Sequence, residues 1–146
     1  MRSTALAICV AITVSACATK PINTSTARST PEDRIYAPEL VIPSPDKVQL
    51  IVARDAGAMG SACMTAVYLN GEKVSTIDNA EKVTFYVTPG RHILGTGPNP
   101  DGTGLCRFGA ERARRETEII AEPGKPLKYR LALSAQGEIS VMPTAF

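Results

Sequence analysis

The chain has 146 residues, with 16 Lys plus Arg against 14 Asp plus Glu and a formal net charge of +2, a length that permits one domain and not two. Near neutrality argues against a dedicated nucleic-acid binder, which normally carries a concentrated basic face. There is no Trp and the four Tyr are scattered, so an aromatic platform for sugars is not indicated.

Residues 1–16 read as an export signal: Arg2 precedes an apolar run over residues 5–16, and small residues close it. The run is too short to cross a bilayer as a helix. The tetrapeptide Val14-Ser15-Ala16-Cys17 resembles the lipobox of bacterial lipoproteins. The resemblance implies that the Cys17 thiol is diacylglyceryl-modified, that the signal is cut just before it, and that the new amino group is acylated. Ala18 occupies the position where that family's inner-membrane retention signal is Asp, which implies sorting to the outer membrane with the domain facing the periplasm. Loss of Arg2 with the signal takes the net charge from +2 to +1, so no strong field steers a partner.

Residues 17–46 are expected to form the lipidated N-terminus and a flexible linker. They are rich in Thr and Ser, and Pro21, Pro31, Pro38, Pro43 and Pro45 interrupt any periodic pattern. Such a segment buries too little apolar surface to offset its ordering entropy, and as a coil it would separate lipid from domain by roughly 30 Å. The apolar stretch 35–42 is the exception. It suits either a partner or an extended collar packed on the domain's own edge.

From residue 47 the pattern changes to short β-type runs between turn signals, without a stretch periodic enough for a helix. In residues 47–54, Val48, Leu50 and Val52 alternate with Gln49 and Ile51, as in a half-buried strand. Residues 63–69 form the next run, Asn70-Gly71 tolerates the positive φ of a tight hairpin, and residues 73–77 return. Residues 81–88 alternate most cleanly, with Val83, Phe85 and Val87 on one face. Pro89-Gly90 turns the chain into residues 91–96, and the Gly-, Pro- and Asn-rich residues 95–104 read as a surface loop. Further strands are expected at 105–108, 116–121, 127–134 and 138–142. About seven or eight short, mainly antiparallel strands in about 100 residues make residues 47–146 an all-β sandwich.

Three stretches, Tyr68-Leu69-Asn70-Gly71-Glu72-Lys73-Val74, Val87-Thr88-Pro89-Gly90-Arg91-His92, and Pro123-Gly124 ahead of Tyr129-Arg130-Leu131, resemble a PEGA-type domain. In that family an Asn/Asp-Gly turn is followed by an apolar strand ending in Pro-Gly-x-His, within a small prealbumin-like β-sandwich of bacterial envelope proteins. The similarity covers residues 47–143 and rests on turn signals. It offers no catalytic residues to carry over, and the Gly-x-Thr-Pro of the fuller pattern is missing after the first hairpin.

Of the four cysteines, Cys9 falls in the signal and Cys17 carries the lipid. Cys63 and Cys106 are expected to form a disulfide in an oxidising compartment, the alternative being two buried free thiols. Two thiols and the single histidine, His92, do not supply a four-ligand metal site, and no cofactor is expected. His92 follows Pro-Gly-Arg at a strand start and reads as a structural side chain of that turn. Gly60-Ser61-Ala62-Cys63 is not a G-x-S-x-G nucleophile elbow. Gly95, Gly97, Gly102 and Gly104 are interrupted by prolines and lack the following helix of a phosphate cradle. Arg107, Arg112, Arg114 and Arg115, with Arg91 from another segment, are the only local basic concentration. Arg91, Arg112 and Arg114 are candidates for contact with anionic envelope material such as lipid or polymer phosphates; the plainer account is a solvated strand edge.

These readings combine into a lipid-anchored binding or structural module of the cell envelope, not an enzyme, attached to the membrane and partnered by an envelope protein. The alternatives are a subunit of an envelope secretion or transfer complex, a toxin-immunity lipoprotein, or an envelope hydrolase with His92 in its site.

Overall fold

Alternation of apolar residues is what builds the core. In the strands β2 (Val48–Arg54) and β5 (Glu81–Val87) every second side chain is buried from Val48 to Val52 and from Glu81 to Val87. Their inward faces meet Val67, Leu69, Val74, Ile77, Leu94, Ile119 and Ala121 from a second sheet. A computed structural model describes residues 19–110 and 112–146; the apolar run and Cys17 lie outside the described residues. The remaining strands are β1 (Arg28–Ser29), β3 (Thr65–Leu69), β4 (Glu72–Ile77), β6 (Gly90–Pro98), β7 (Arg115–Ala121), β8 (Leu127–Leu133) and β9 (Ile139–Pro143).

One sheet has the order β1-β5-β2-β8-β9 and the other β4-β3-β6-β7. The pairs β1–β5 and β2–β8 are parallel and all others antiparallel. The chain is therefore an all-β sandwich, as the strand pattern predicts. Asn70 and Gly71 take φ of 51° and 93°, the two positive values that a tight hairpin of this kind requires. The registers align the ends of β2 and β8 with the starts of β5 and β9 in one sheet and the end of β6 with the starts of β3 and β7 in the other, and hydrogen bonds from Arg54 to Cys63 O and Ile77 O bring the two sets to one end of the sandwich. This is called the Asp55 end below, and the opposite one, with the Asn70-Gly71 and Pro89-Gly90 turns, the His92 end.

Three expectations need correction. Residues 105–108 are not a strand: Gly104–Cys106 is a short 3-10 turn, opened by Gly104 at a φ of 55°. The strand β6 runs through Gly95 and Gly97 to Pro98, so the surface loop begins only after it. The flexible linker is also not observed over residues 19–46, which wrap the sandwich. Lys20 bridges Ala56 through two backbone hydrogen bonds of 2.7 and 3.0 Å, β1 adds to the edge of β5, and Thr30 donates its N–H to Lys82 O at 2.8 Å. The Tyr36 N–H then donates to Val74 O at 2.9 Å, on the outer edge of β4.

The physical reason is that this segment supplies hydrogen bonds more than apolar mass. It occupies the exposed edges of β5 and β4, which would otherwise present unpaired backbone groups. Apolar contact adds to this: Ile35, Ala37, Leu40 and Val41 pack on the core, so residues 35–42 form a collar on the domain's own edge. Ionic contact fixes it further, because Arg34 Nη2 donates to the buried Glu81 carboxylate at 2.7 Å. That hydrogen bond raises the Arg34 guanidinium above its ordinary value against the opposing effect of burial.

An ordered wrap resists cleavage where a tether does not. Limited trypsin digestion of the native protein is expected to spare Arg28 and Arg34 until global unfolding, read by mass spectrometry of the products. Rapid cutting at both sites in folded protein would contradict the wrap.

Candidate functional site

At the Asp55 end two adjacent side chains are buried and charged, Arg54 at the end of β2 at 7% exposure and Asp55 just after it at 0%. Burial of an ionised group costs several kcal/mol unless its hydrogen-bonding capacity is met, and here it is met by distant segments. Arg130 of β8 grips Asp55 with two nitrogens, Nε at 3.0 Å from Oδ1 and Nη2 on Oδ2. Thr19 adds its hydroxyl to Oδ2 at 3.1 Å. Thr19 is tied to β8 as well, since its N–H donates to Leu133 O at 3.0 Å and its hydroxyl accepts from Leu133 N–H at 2.8 Å.

Arg54 points the other way and organises the loop between β2 and β3. Its guanidinium donates to Cys63 O at 2.5 Å, to Gly60 O at 2.6 Å and to Ile77 O at 3.3 Å. Burial pushes it below its ordinary value, while Asp78 and Glu81 act in the opposite direction. The same loop carries Cys63, which forms a disulfide with Cys106. The expected pairing is thus present, and it pins the loop of residues 99–110 to the Asp55 end.

That loop leaves Leu105 at 90% and Phe108 at 83% exposure. Both face a groove of about 160 Å³ shared with Met64, Pro98, Leu133 and Ile139. On the far side of Phe108 an open basin of about 490 Å³ is flanked by Arg107 and Arg112, both exposed. Apolar side chains beside guanidinium groups can accommodate an amphipathic partner with an anionic head.

The candidate arginines are not brought together. Arg91 stands at the His92 end, where it pairs with Glu118 on β7. Arg114 is occupied: it lies 3.9 Å from the Tyr68 ring centroid and 2.6 Å from Glu116. Gly97 allows this approach, because a Cβ there would meet Arg114 Cα at 3.3 Å. Only Arg112 of the three borders the exposed apolar loop, and Arg107 joins it.

His92 sits apart from all of this. Its Nε2 is 2.8 Å from Thr88 O and its Nδ1 3.0 Å from the Asn70 side-chain amide, so both ring nitrogens link the two turns of that end. Asn70 Oδ1 in turn accepts from Ile93 N–H at 2.9 Å. Among the described residues no group of three or more His, Cys, Asp or Glu converges as metal ligands would. The Asp55–Arg130 pair and the exposure of Leu105 and Phe108 had no signal in the sequence.

Fold and site together define a small β-sandwich in which Thr19, the disulfide and an exposed apolar loop share one end. Compared with known proteins, the chain matches no protein-family model and no curated sequence.

Two variants probe the buried charges and the disulfide. Replacing Arg130 by Met leaves the Asp55 carboxylate buried and poorly compensated, and is expected to cost about 3 kcal/mol in chemical denaturation. Adding Asp55→Asn should restore part of that loss; no recovery would show that the pair is not the origin. The Cys63→Ala/Cys106→Ala variant is expected to lose up to about 4 kcal/mol, the loop entropy regained by the unfolded chain over a separation of 43 residues. Unchanged stability would remove the disulfide from the list of constraints that hold this end.

Proposed function

We propose that the protein is a lipid-anchored module of the bacterial cell envelope, held in the outer membrane through Cys17, with its sandwich serving a binding or structural role on the periplasmic side. The observation that carries this reading is the run ending in Val14-Ser15-Ala16-Cys17, with small residues where a signal peptidase needs access. A disulfide between Cys63 and Cys106 supports an oxidising compartment, where such bonds persist. The likeness of the Asn70-Gly71 and Pro89-Gly90-Arg91-His92 turns to PEGA-type domains supports an envelope role of the same non-catalytic kind. The hydrogen bonds of His92 to Thr88 and Asn70 support a structural duty for the one histidine, since neither ring nitrogen is left for a substrate.

Replacing Cys17 by Ser tests the anchor. The variant is expected to leave the membrane fraction and to lose labelling by a clickable fatty acid. Labelling that persists at the parent level would refute the assignment. Separately, Ala18→Asp should move the protein toward the inner membrane, read by density-gradient separation of the two membranes.

A further inference from the structure

Thr19 and the exposed loop lie at the same end of the sandwich. A small cleft bordered by Thr19 is lined by Arg54, Thr65, Leu131, Leu133 and Ile139. Four of those residues, Arg54, Thr65, Leu133 and Ile139, also line the groove of Leu105 and Phe108. Cys17 precedes Thr19 by two residues, so covalent geometry alone keeps it within about 7 Å of Thr19. Thr19 cannot swing away, because Leu133, Asp55 and the Lys20–Ala56 bridge hold it.

From this placement, and resting on the lipid anchor proposed above, we propose that the Asp55 end is a membrane-docking face: Leu105 and Phe108 enter an anionic phospholipid surface while Arg107 and Arg112 contact its phosphates. A spacer of some 30 Å would let the domain present any face to the bilayer. With residues 19–46 wrapped on the sandwich, the lipid chains emerge beside one face and that face meets the membrane. Its chemistry suits the encounter. Two large apolar side chains protrude almost fully from a disulfide-pinned loop, flanked by exposed arginines, the pairing that interfacial membrane contacts use. At the opposite end Ile120 is exposed as well, but it lies on the regular strand β7 opposite Arg91, which pairs with Glu118.

The chain has no Trp, so Phe108→Trp in the full lipidated chain reports on one site alone. In vesicles of phosphatidylethanolamine and phosphatidylglycerol its emission is expected to shift to the blue and to be quenched by lipids brominated on the acyl chain. An Ile120→Trp control, on exposed β7 at the His92 end, should keep water-like emission. Emission from the Phe108→Trp variant that stays water-like and unquenched on the membrane overturns the proposal; a shift that appears only with lipid-free periplasmic extract does so too and gives the face to a protein partner.

Failure of the anchor is read separately, as absence of acyl mass on the N-terminal peptide. The mature chain beginning at residue 17, made with Cys17→Ser and without residues 1–16, then tests the face without lipid. It should bind phosphatidylglycerol vesicles weakly and in a salt-sensitive way, and Leu105→Ser should reduce that binding about tenfold. Arg107→Glu/Arg112→Glu should abolish the preference for phosphatidylglycerol over phosphatidylethanolamine alone. Equal partition of the parent and these variants overturns the docking face whatever the state of Cys17.

Discussion

The fully buried carboxylate of Asp55 ties together three parts of the chain that sequence keeps far apart. It directly follows β2, it is clamped by Arg130 from β8, and it receives the hydroxyl of Thr19. An ionised group in that position is tolerable only while all its partners stay in place, so the alignment of the parallel β2–β8 pair and the placement of Thr19 stand or fall together. Register in a parallel pair is set weakly by backbone hydrogen bonding alone, because every second residue offers an equivalent alignment. The Asp55–Arg130 grip accepts one such alignment and leaves a buried charge unpaired in the others.

Arg54, the neighbour of Asp55, does the complementary task for the loops. By donating to the carbonyls of Gly60, Cys63 and Ile77 it gives the β2–β3 connection a defined shape without any regular secondary structure. Cys63 is thereby held where Cys106 can reach it, and the loop after β6 inherits its position. The exposed side chains of Leu105 and Phe108 are thus presented by a rigid chain of contacts that begins inside the core.

The strands were legible because β residues alternate visibly. Val83, Phe85 and Val87 show in sequence the face that the sandwich buries, and Asn70-Gly71 announces its turn by its tolerance of positive φ. What lies between strands was less legible. Outside the apolar stretch 35–42, residues 19–46 look like a linker by composition, because much of their order comes from backbone bonds to the β4 and β5 edges that no side-chain pattern encodes. The sequence Leu105-Cys106-Arg107-Phe108 alternates like a strand, yet Gly104 at positive φ and the bond to Cys63 impose a turn. The ion pairs were invisible for a simpler reason: Asp55 and Arg130 are 75 residues apart.

The bonds of Thr19 to Leu133, at a separation of 114 residues, and of Thr24 to Phe146, at 122, also order events in time. Such contacts have high loop-closure cost and form late, after the sheets that make their acceptors exist. The Thr19 and Thr24 bonds can therefore close only once β8 and the C-terminal residues are in place, whereas the contacts of the same segment to Val74 and Lys82 need neither. On the lipoprotein reading, an exported chain keeps its first residues accessible to lipid-transferring and signal-cleaving enzymes throughout translocation, and loses that access only as the sandwich closes. Maturation of the N-terminus and completion of the fold would then be separated by the chain's own topology.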